Sequence, residues 1–331
     1  MLRSETSGDP GRLAAALKGL RAYQEAERPA PPPPRPVVAT AGRAVLRDYG
    51  GSGPPLVVVP SLINPPVILD LDAERSLLRW LARQGVRPLL VDWGAPLAGE
   101  HGLDIAGHVE TMLLPLIDAL GEPPILAGYC LGGTMALAAA ALRQPRALAL
   151  IAAPWRYAGF PDESRAMLGR LWDQARPAAE AIGLLPMEVL QTAFWRLDPA
   201  RTVGKFEAFG RRAHDPAASA GFVAVEDWAN DGPPLTLGAA RELMEGMFGE
   251  DLPGQGRWRV GGRTIDPAAI AVPAFEIVST SDRIVPAAAA AGIGERLALG
   301  LGHVGMIVGG RSRASVWQPL AAWLSRVQQN C

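Results

Sequence analysis

Two rhythms of hydrophobic spacing alternate along this chain. Short, mostly apolar runs at residues 55–59, 88–91, 125–127, 147–152 and 272–280 predict strands of a buried sheet, and 37–46 could supply a first strand or two feeding the core. Between them, apolar residues return every three or four positions, which predicts helices over 73–83, 105–120, 165–182, 235–248, 287–297 and 315–327. In the first of these Leu77, Leu78 and Leu81 turn inward and Glu74, Arg75 and Arg79 outward. A further helical pattern, Leu13, Leu17, Leu20 and Tyr23, lies ahead of a proline run at Pro29 to Pro34 that reads as a stiff extended spacer. The irregular, proline-containing stretch after residue 60 is expected to be loop through Asp72.

Strands that alternate with helices of this length argue for an α/β fold with a mostly parallel sheet covered on both faces. Ligands of such sheets sit at the carboxyl ends of the strands. The loops Ser61 to Asn64 and Asp92 to Gly94 fall at such ends. The rhythm changes from 155 to 266, where helical segments are set among aromatic residues such as Tyr157, Phe160, Phe194, Trp195 and Trp228. That stretch reads as an inserted cap, whose aromatics either fill a small core or form an apolar ligand channel or a mobile lid. The expected division is therefore 1–36 as a helical, proline-rich segment, 37–154 with 267–331 as the core, and 155–266 as the cap.

The most informative stretch is PPILAGYCLGGTMALA, starting at Pro123. An apolar strand leads to Gly128-Tyr129-Cys130-Leu131-Gly132, and an alanine-rich helix follows. This is the strand, tight turn and helix of a nucleophile elbow, with cysteine where serine is commoner. Glycines beside the turn permit its close approaches, and the first amides of the helix can stabilise a thiolate or an oxyanion. The plainer alternative makes Cys130 a small core residue. Oxyanion donors would be the amide of Leu131 and one from the Ser61 to Ile63 loop, assigned to Leu62.

Composition narrows the field. With 331 residues, 49% apolar and 20% charged, the chain can bury a full core. A net charge of −1 gives no reason to expect nucleic acid as a partner. Only Lys18 and Lys205 are lysines among 32 basic residues, a bias we ascribe to coding rather than function. The two cysteines, Cys130 and Cys331, make no disulfide scaffold, and a free thiol nucleophile suits a cytoplasmic protein. The apolar runs are too broken for a membrane span, and no phosphate-binding glycine pattern or metal-ligand spacing occurs.

A thiol nucleophile needs a base, and the base needs an orienting carboxylate. The order expected for an elbow of this kind is nucleophile, acid, histidine. Asp282 follows a predicted strand and His303 lies in a glycine-flanked loop beyond it. The alternatives are a turn or cap carboxylate for Asp282, a surface position for His303, and Asp92 as a competing acid. His101, His108 and His214 read as solvated or structural.

These pieces together resemble the catalytic domain of poly(3-hydroxyalkanoate) synthases, cysteine-dependent members of the α/β-hydrolase superfamily. The resemblance rests on VVVPSLINPPVILDLDAERSLLRWLARQGVRPLLVDWG, GYCLGGTMALAAA, DWANDGPPL, GGRTIDPAAIAVPAFEIVSTSDRIVP and LGHVGMIV, spanning about residues 50 to 310 in order. It implies an α/β-hydrolase fold with a cap, Cys130 as acyl-accepting nucleophile, Asp282 as triad carboxylate and His303 as base. The implied activity is polymerisation of (R)-3-hydroxyacyl-coenzyme A into polyester, with coenzyme A thioester as substrate and no cofactor. Implied partners are the growing polyester, a second copy or a second synthase subunit, at polyester granules in the cytoplasm. Three features depart from the family. Arg283 stands where histidine usually follows the acid, Val304-Gly305-Met306 lacks the following Asn-Pro-Pro, and the long N-terminal domain of the larger synthases is missing. These departures leave open a cysteine-dependent thioesterase or esterase on the same scaffold, or a non-catalytic granule protein.

Overall fold

The computed structural model describes residues 2–28, 32–212 and 216–329; the start of the proline run, His214 and Cys331 lie outside them. Eight strands form one sheet: β1 Val37–Ala41, β2 Ala44–Asp48, β3 Pro55–Val59, β4 Arg87–Asp92, β5 Ile125–Tyr129, β6 Ala147–Ile151, β7 Ala274–Ser279 and β8 Glu295–Leu299. Their spatial order is β1-β2-β4-β3-β5-β6-β7-β8. The β1/β2 and β2/β4 pairings are antiparallel, and all pairings from β4 to β8 are parallel.

The central strands are buried on both faces, as their unbroken apolar runs require. Alternate residues divide between two cores: Val57, Leu89, Leu126 and Leu148 face one way, and Leu56, Leu90, Ile125 and Ile277 the other. Against the first core pack α2 (Leu131–Arg143) and a helical run over 105–118 that widens into a π turn at Val109–Leu113. Against the second pack the short helix Leu77–Ala82 and α7 (Gln318–Gln329).

Between β6 and β7 the chain leaves the sheet and builds a helical cap. Its main members are α3 (Asp162–Ile182), α4 (Met187–Leu197), α5 (Pro199–Arg212) and α6 (Pro216–Asn230). Ahead of the sheet, α1 (Pro10–Glu25) packs along α5.

Three sequence expectations are corrected. The helix expected over 73–83 begins only at Leu77, because Asp72 holds the amides of Glu74 and Arg75 in a turn and Ser76 supplies the cap. Residues 66–69, expected as loop, form one 3₁₀ turn. The helix expected over 287–297 does not form: a 3₁₀ turn at Ala287–Ala289 gives way to β8. Gly292 and Gly294 lie at φ +79° and +66°, and a Cβ on Gly294 would sit 2.1 Å from the Ala274 carbonyl oxygen. That backbone path brings the chain beside β7 and forbids a continuous helix.

Candidate active site

β5 runs straight into α2 through one residue, Cys130, whose φ of 57° and ψ of −135° lie outside the regions that side chains favour. Such a conformation costs on the order of 1–3 kcal/mol and needs its surroundings to hold it. The glycines do this by letting backbone approach backbone. A Cβ on Gly128 would lie 2.3 Å from the Gly133 Cα, and one on Gly132 would lie 2.2 Å from the Val59 carbonyl oxygen. The Cys130 amide donates to the Ile151 carbonyl at 3.0 Å, tying the turn to β6. Cys130 thus sits at the tip, half-buried, with Leu131 as the first residue of α2 and its amide unmatched by any carbonyl one turn earlier.

Asp282 and His303 come to the same rim. His303 donates from Nδ1 to Asp282 Oδ2 at 2.7 Å, with both side chains almost fully buried. The other carboxylate oxygen accepts from the amides of Ile284 and Val285 at 2.8 and 3.0 Å, so Asp282 is both a turn carboxylate and the partner of His303. Burial on its own lowers the imidazole's pKa, but the charges of Asp282 and Cys130 and hydrogen bonding to both outweigh it and raise it to about 10. His303 and Cys130 line one cavity together. Asp92, the competing acid, is instead paired with Arg47 at 2.8 Å.

Tyr129, which the sequence reading passed over, stacks on the His303 ring at a centroid distance of 4.9 Å. Burial, followed by the nearby charges of Cys130 and Asp282, pushes its phenol well above the usual range, so it remains neutral. The available signal was its place directly before the nucleophile, on a strand buried from both sides.

The Ser61 loop is held from both flanks. Trp93 donates its indole N–H to the Pro60 carbonyl at 3.1 Å, and Trp228 of α6 donates to the Pro65 carbonyl at 2.8 Å. Asn64 reaches the Asp231 carbonyl at 3.4 Å, and Gly232 lies so close to the Ile63 carbonyl that a Cβ there would sit 2.7 Å from it. The DWANDGPPL segment is therefore the clamp on this loop. Within the loop, Ser61 Oγ accepts from the Ile63 amide at 3.1 Å. The Leu62 side chain points into the core.

Two cavities meet at Cys130. One, of about 160 Å³, has Ser61, Asn64, Gln191, Thr202, Lys205 and His303 in its wall. The other, of about 80 Å³, is apolar, with Tyr157, Phe160, Met167, Leu168 and Phe248 around it. Phe194 and Ile284 border both. Arg283, at the departure from the resemblance, turns away from His303 and pairs with Asp198 of the cap at 2.7 Å.

The remaining described histidines stand apart. His108 is buried, and burial lowers its pKa to about 4; Arg43 lies 2.8 Å from one ring nitrogen and the Asp104 carbonyl 2.6 Å from the other. His101 is exposed beside Gly183. Among the described residues no group of three or more His, Cys, Asp and Glu side chains could hold a metal, and no helix is long and apolar enough to cross a membrane.

Residues 56–311 match the alpha/beta hydrolase family. The chain belongs to that family. Within it the similarity is to poly(3-hydroxyalkanoate) polymerase subunits PhaC. The Haloferax mediterranei protein is 27% identical over 82% of this chain and 58% of its own length, and the Haloarcula marismortui protein 25% identical over 82% and 60%. This chain therefore spans under two thirds of the length of those two relatives. The Allochromatium vinosum protein is 27% identical over 82% of this chain and 80% of its own length. Among solved structures, a thermophilic esterase from Thermogutta terrifontis superposes with a TM-score of 0.52 at 18% identity, covering 90% of this chain and all of the other. A Paleococcus ferrophilus monoacylglycerol lipase gives 0.52 at 15%, covering 86% and 99%. These likenesses establish the hydrolase fold, and the protein is a hydrolase-fold enzyme with a buried His–Asp pair and, at Cys130, a candidate nucleophile position.

Proposed function

We propose that this protein is a cysteine-dependent acyl hydrolase acting on thioesters or esters through a covalent acyl-Cys130 intermediate. His303 takes the proton from Cys130, and the thiolate attacks the substrate carbonyl carbon. The amides of Leu131 and Leu62 serve as donors to the oxyanion. Collapse of the tetrahedral intermediate breaks the bond to the leaving thiol or alcohol, which departs with the proton held by His303. Water, deprotonated by His303, then attacks the acyl-cysteine, releasing the acid and restoring the thiol. Asp282 holds the imidazole in the tautomer that both steps need.

The observation that carries hydrolysis is the wall of the cavity on the His303 side. Ser61 and Asn64 interrupt its largely apolar lining and offer water hydrogen-bonding positions near the acyl-enzyme, while the second cavity, lined almost wholly by apolar side chains, suits an acyl chain.

A second reading, favoured by the similarity to PhaC, keeps the first half-reaction and replaces water with the 3-hydroxyl of another acyl unit, extending a polyester. Coenzyme A would then be the leaving thiol, and a second subunit and a granule surface would belong to that reading. Product analysis separates the two. Incubated with 3-hydroxybutyryl-coenzyme A, the purified protein is expected to yield free coenzyme A and soluble 3-hydroxybutyrate, and to turn over p-nitrophenyl butyrate. Insoluble polyester would establish the second reading instead. Cys130→Ala is expected to lose turnover by about 10³-fold or more, and full activity in that variant would remove both.

A further inference from the structure

The apolar cavity beside Cys130 holds one polar group that nothing among the described residues satisfies. Tyr157 and Cys130 both stand in its wall, with side chains such as Met167, Leu168 and Leu190. Tyr157 is 1% exposed, and its hydroxyl has no hydrogen-bond partner. The Thr134 hydroxyl close to it donates instead to the Pro154 carbonyl. Arg283, another polar member of the wall, is taken up by Asp198. A buried hydroxyl without a partner costs about 1–3 kcal/mol, and beside a nucleophile it calls for a partner from outside the chain.

The side chain is pinned as a fixed donor. Its ring stacks on Phe160 at a centroid distance of 5.6 Å and meets Phe248 edge-on at 5.0 Å. The Tyr157 amide donates to Asp251 Oδ1 at 2.6 Å. Gly159, two residues on, packs so closely against the Ala288 backbone that a Cβ would come within 2.5 Å of it. Burial above all raises the phenol well above its usual range, so it stays protonated and able to donate. The cavity, of about 80 Å³, has room for about three groups the size of a water molecule. An atom that meets Tyr157 there sits only a few bonds from the reacting carbonyl.

We infer that Tyr157 determines acyl specificity: its unpartnered hydroxyl donates to an oxygen carried on the acyl chain, so that short oxygen-bearing chains are taken in preference to hydrocarbon chains of the same size. A hydrocarbon chain leaves the phenol unpaired, and that penalty supplies the discrimination. This role rests on the acyl-cysteine reading, which assigns the apolar cavity to the acyl chain.

The test uses ethanethiol thioesters in two size-matched pairs, 3-hydroxybutyryl against 3-methylbutyryl and methoxyacetyl against butyryl, each pair exchanging an oxygen for a carbon. Tyr157→Phe removes only the hydroxyl. It is expected to lower the oxygen-to-carbon ratio of kcat/KM by about fivefold or more in at least one pair, with the urea unfolding midpoint unchanged or higher. A smaller fall in both pairs would overturn the role. A lower midpoint would do so too, because it would mean that the hydroxyl is bonded within the protein. Ligand-observed NMR titrations of 3-hydroxybutyramide and 3-methylbutyramide read the same discrimination without chemistry. Should the native protein turn over no thioester, the acyl-cysteine reading falls and these titrations decide. A preference for the hydroxyl member that Tyr157→Phe erases would support the role, and equal affinities or no binding would overturn it.

Discussion

The rim of the sheet and the cap above it are built by different rules. At the rim, the turn at Cys130 and the Asp282 carboxylate are each set up by a short stretch of chain with its own backbone signature. Three glycines fix the turn that presents Cys130, and two backbone amides fix the carboxylate that orients His303. The cap is assembled from contacts between residues far apart in the chain, such as Trp228 with Pro65, Gln191 with Asn230 and Gly19 with the Phe206 backbone. The division teaches that short backbone signatures present the candidate reacting groups, while long-range packing shapes the space around them.

Substitutions at the rim are expected to strike chemistry, and those in the cap to leave it largely intact. Asp282→Asn tests this most severely. It keeps the shape but removes the charge facing Nδ1, and kcat is expected to fall by about 10²–10⁴-fold, measured by steady-state thioester or ester turnover. A loss of less than threefold would mean that His303 does not need this partner.

Next comes Gly133→Ala, because a Cβ there would meet the Ala153 Cβ at 2.2 Å. Overpacking of this kind costs about 1–3 kcal/mol, to be read from urea unfolding midpoints, and it should also perturb Cys130. A neutral result would show that the elbow has slack.

The His303 ion pair predicts a pH dependence of stability. Its folded-state pKa is raised to about 10, above the ordinary imidazole value, so its stabilisation is fully present below the unfolded value near 6.5. It is lost as pH rises through about 10. The stability difference between the native protein and His303→Gln, followed by denaturant unfolding from pH 6 to 10.5, should therefore shrink towards the alkaline end. A difference that grows with pH would contradict the pairing.

The smallest effect is expected at the junction of the two regions. The Arg283–Asp198 pair is two-thirds exposed on the arginine side, and Arg283→Ala should cost no more than about 1 kcal/mol in thermal or urea unfolding. A larger loss would mean that this contact holds the cap to the rim.

The same contrast explains what could be read in the sequence. The tight turn at Cys130 and the meeting of Asp282 with His303 at one rim were legible because each carries a short signature: glycines around Cys130, a polar residue after an apolar run at Asp282, and a glycine-flanked loop at His303. The strand β8 was not, since its run of small residues and leucines has helical spacing and only the positive φ angles at Gly292 and Gly294 overrule it. Three cap helices, α4, α5 and α6, were also missed. The stacking of Tyr129 on His303 and the matching of Lys205 with Glu226 depend on tertiary placement, which no local pattern encodes.

The Gly19 crossing ties the fate of two distant segments together. Because α1 lies backbone-to-backbone on α5, where a Cβ on Gly19 would also come within 3.0 Å of the Gly210 amide nitrogen, the first helix is packed as part of the roof. Were the cap to lift from the rim, the two helices would be expected to travel together. Spin labels on their outward faces would then keep a constant separation as their distance to the strands below increased.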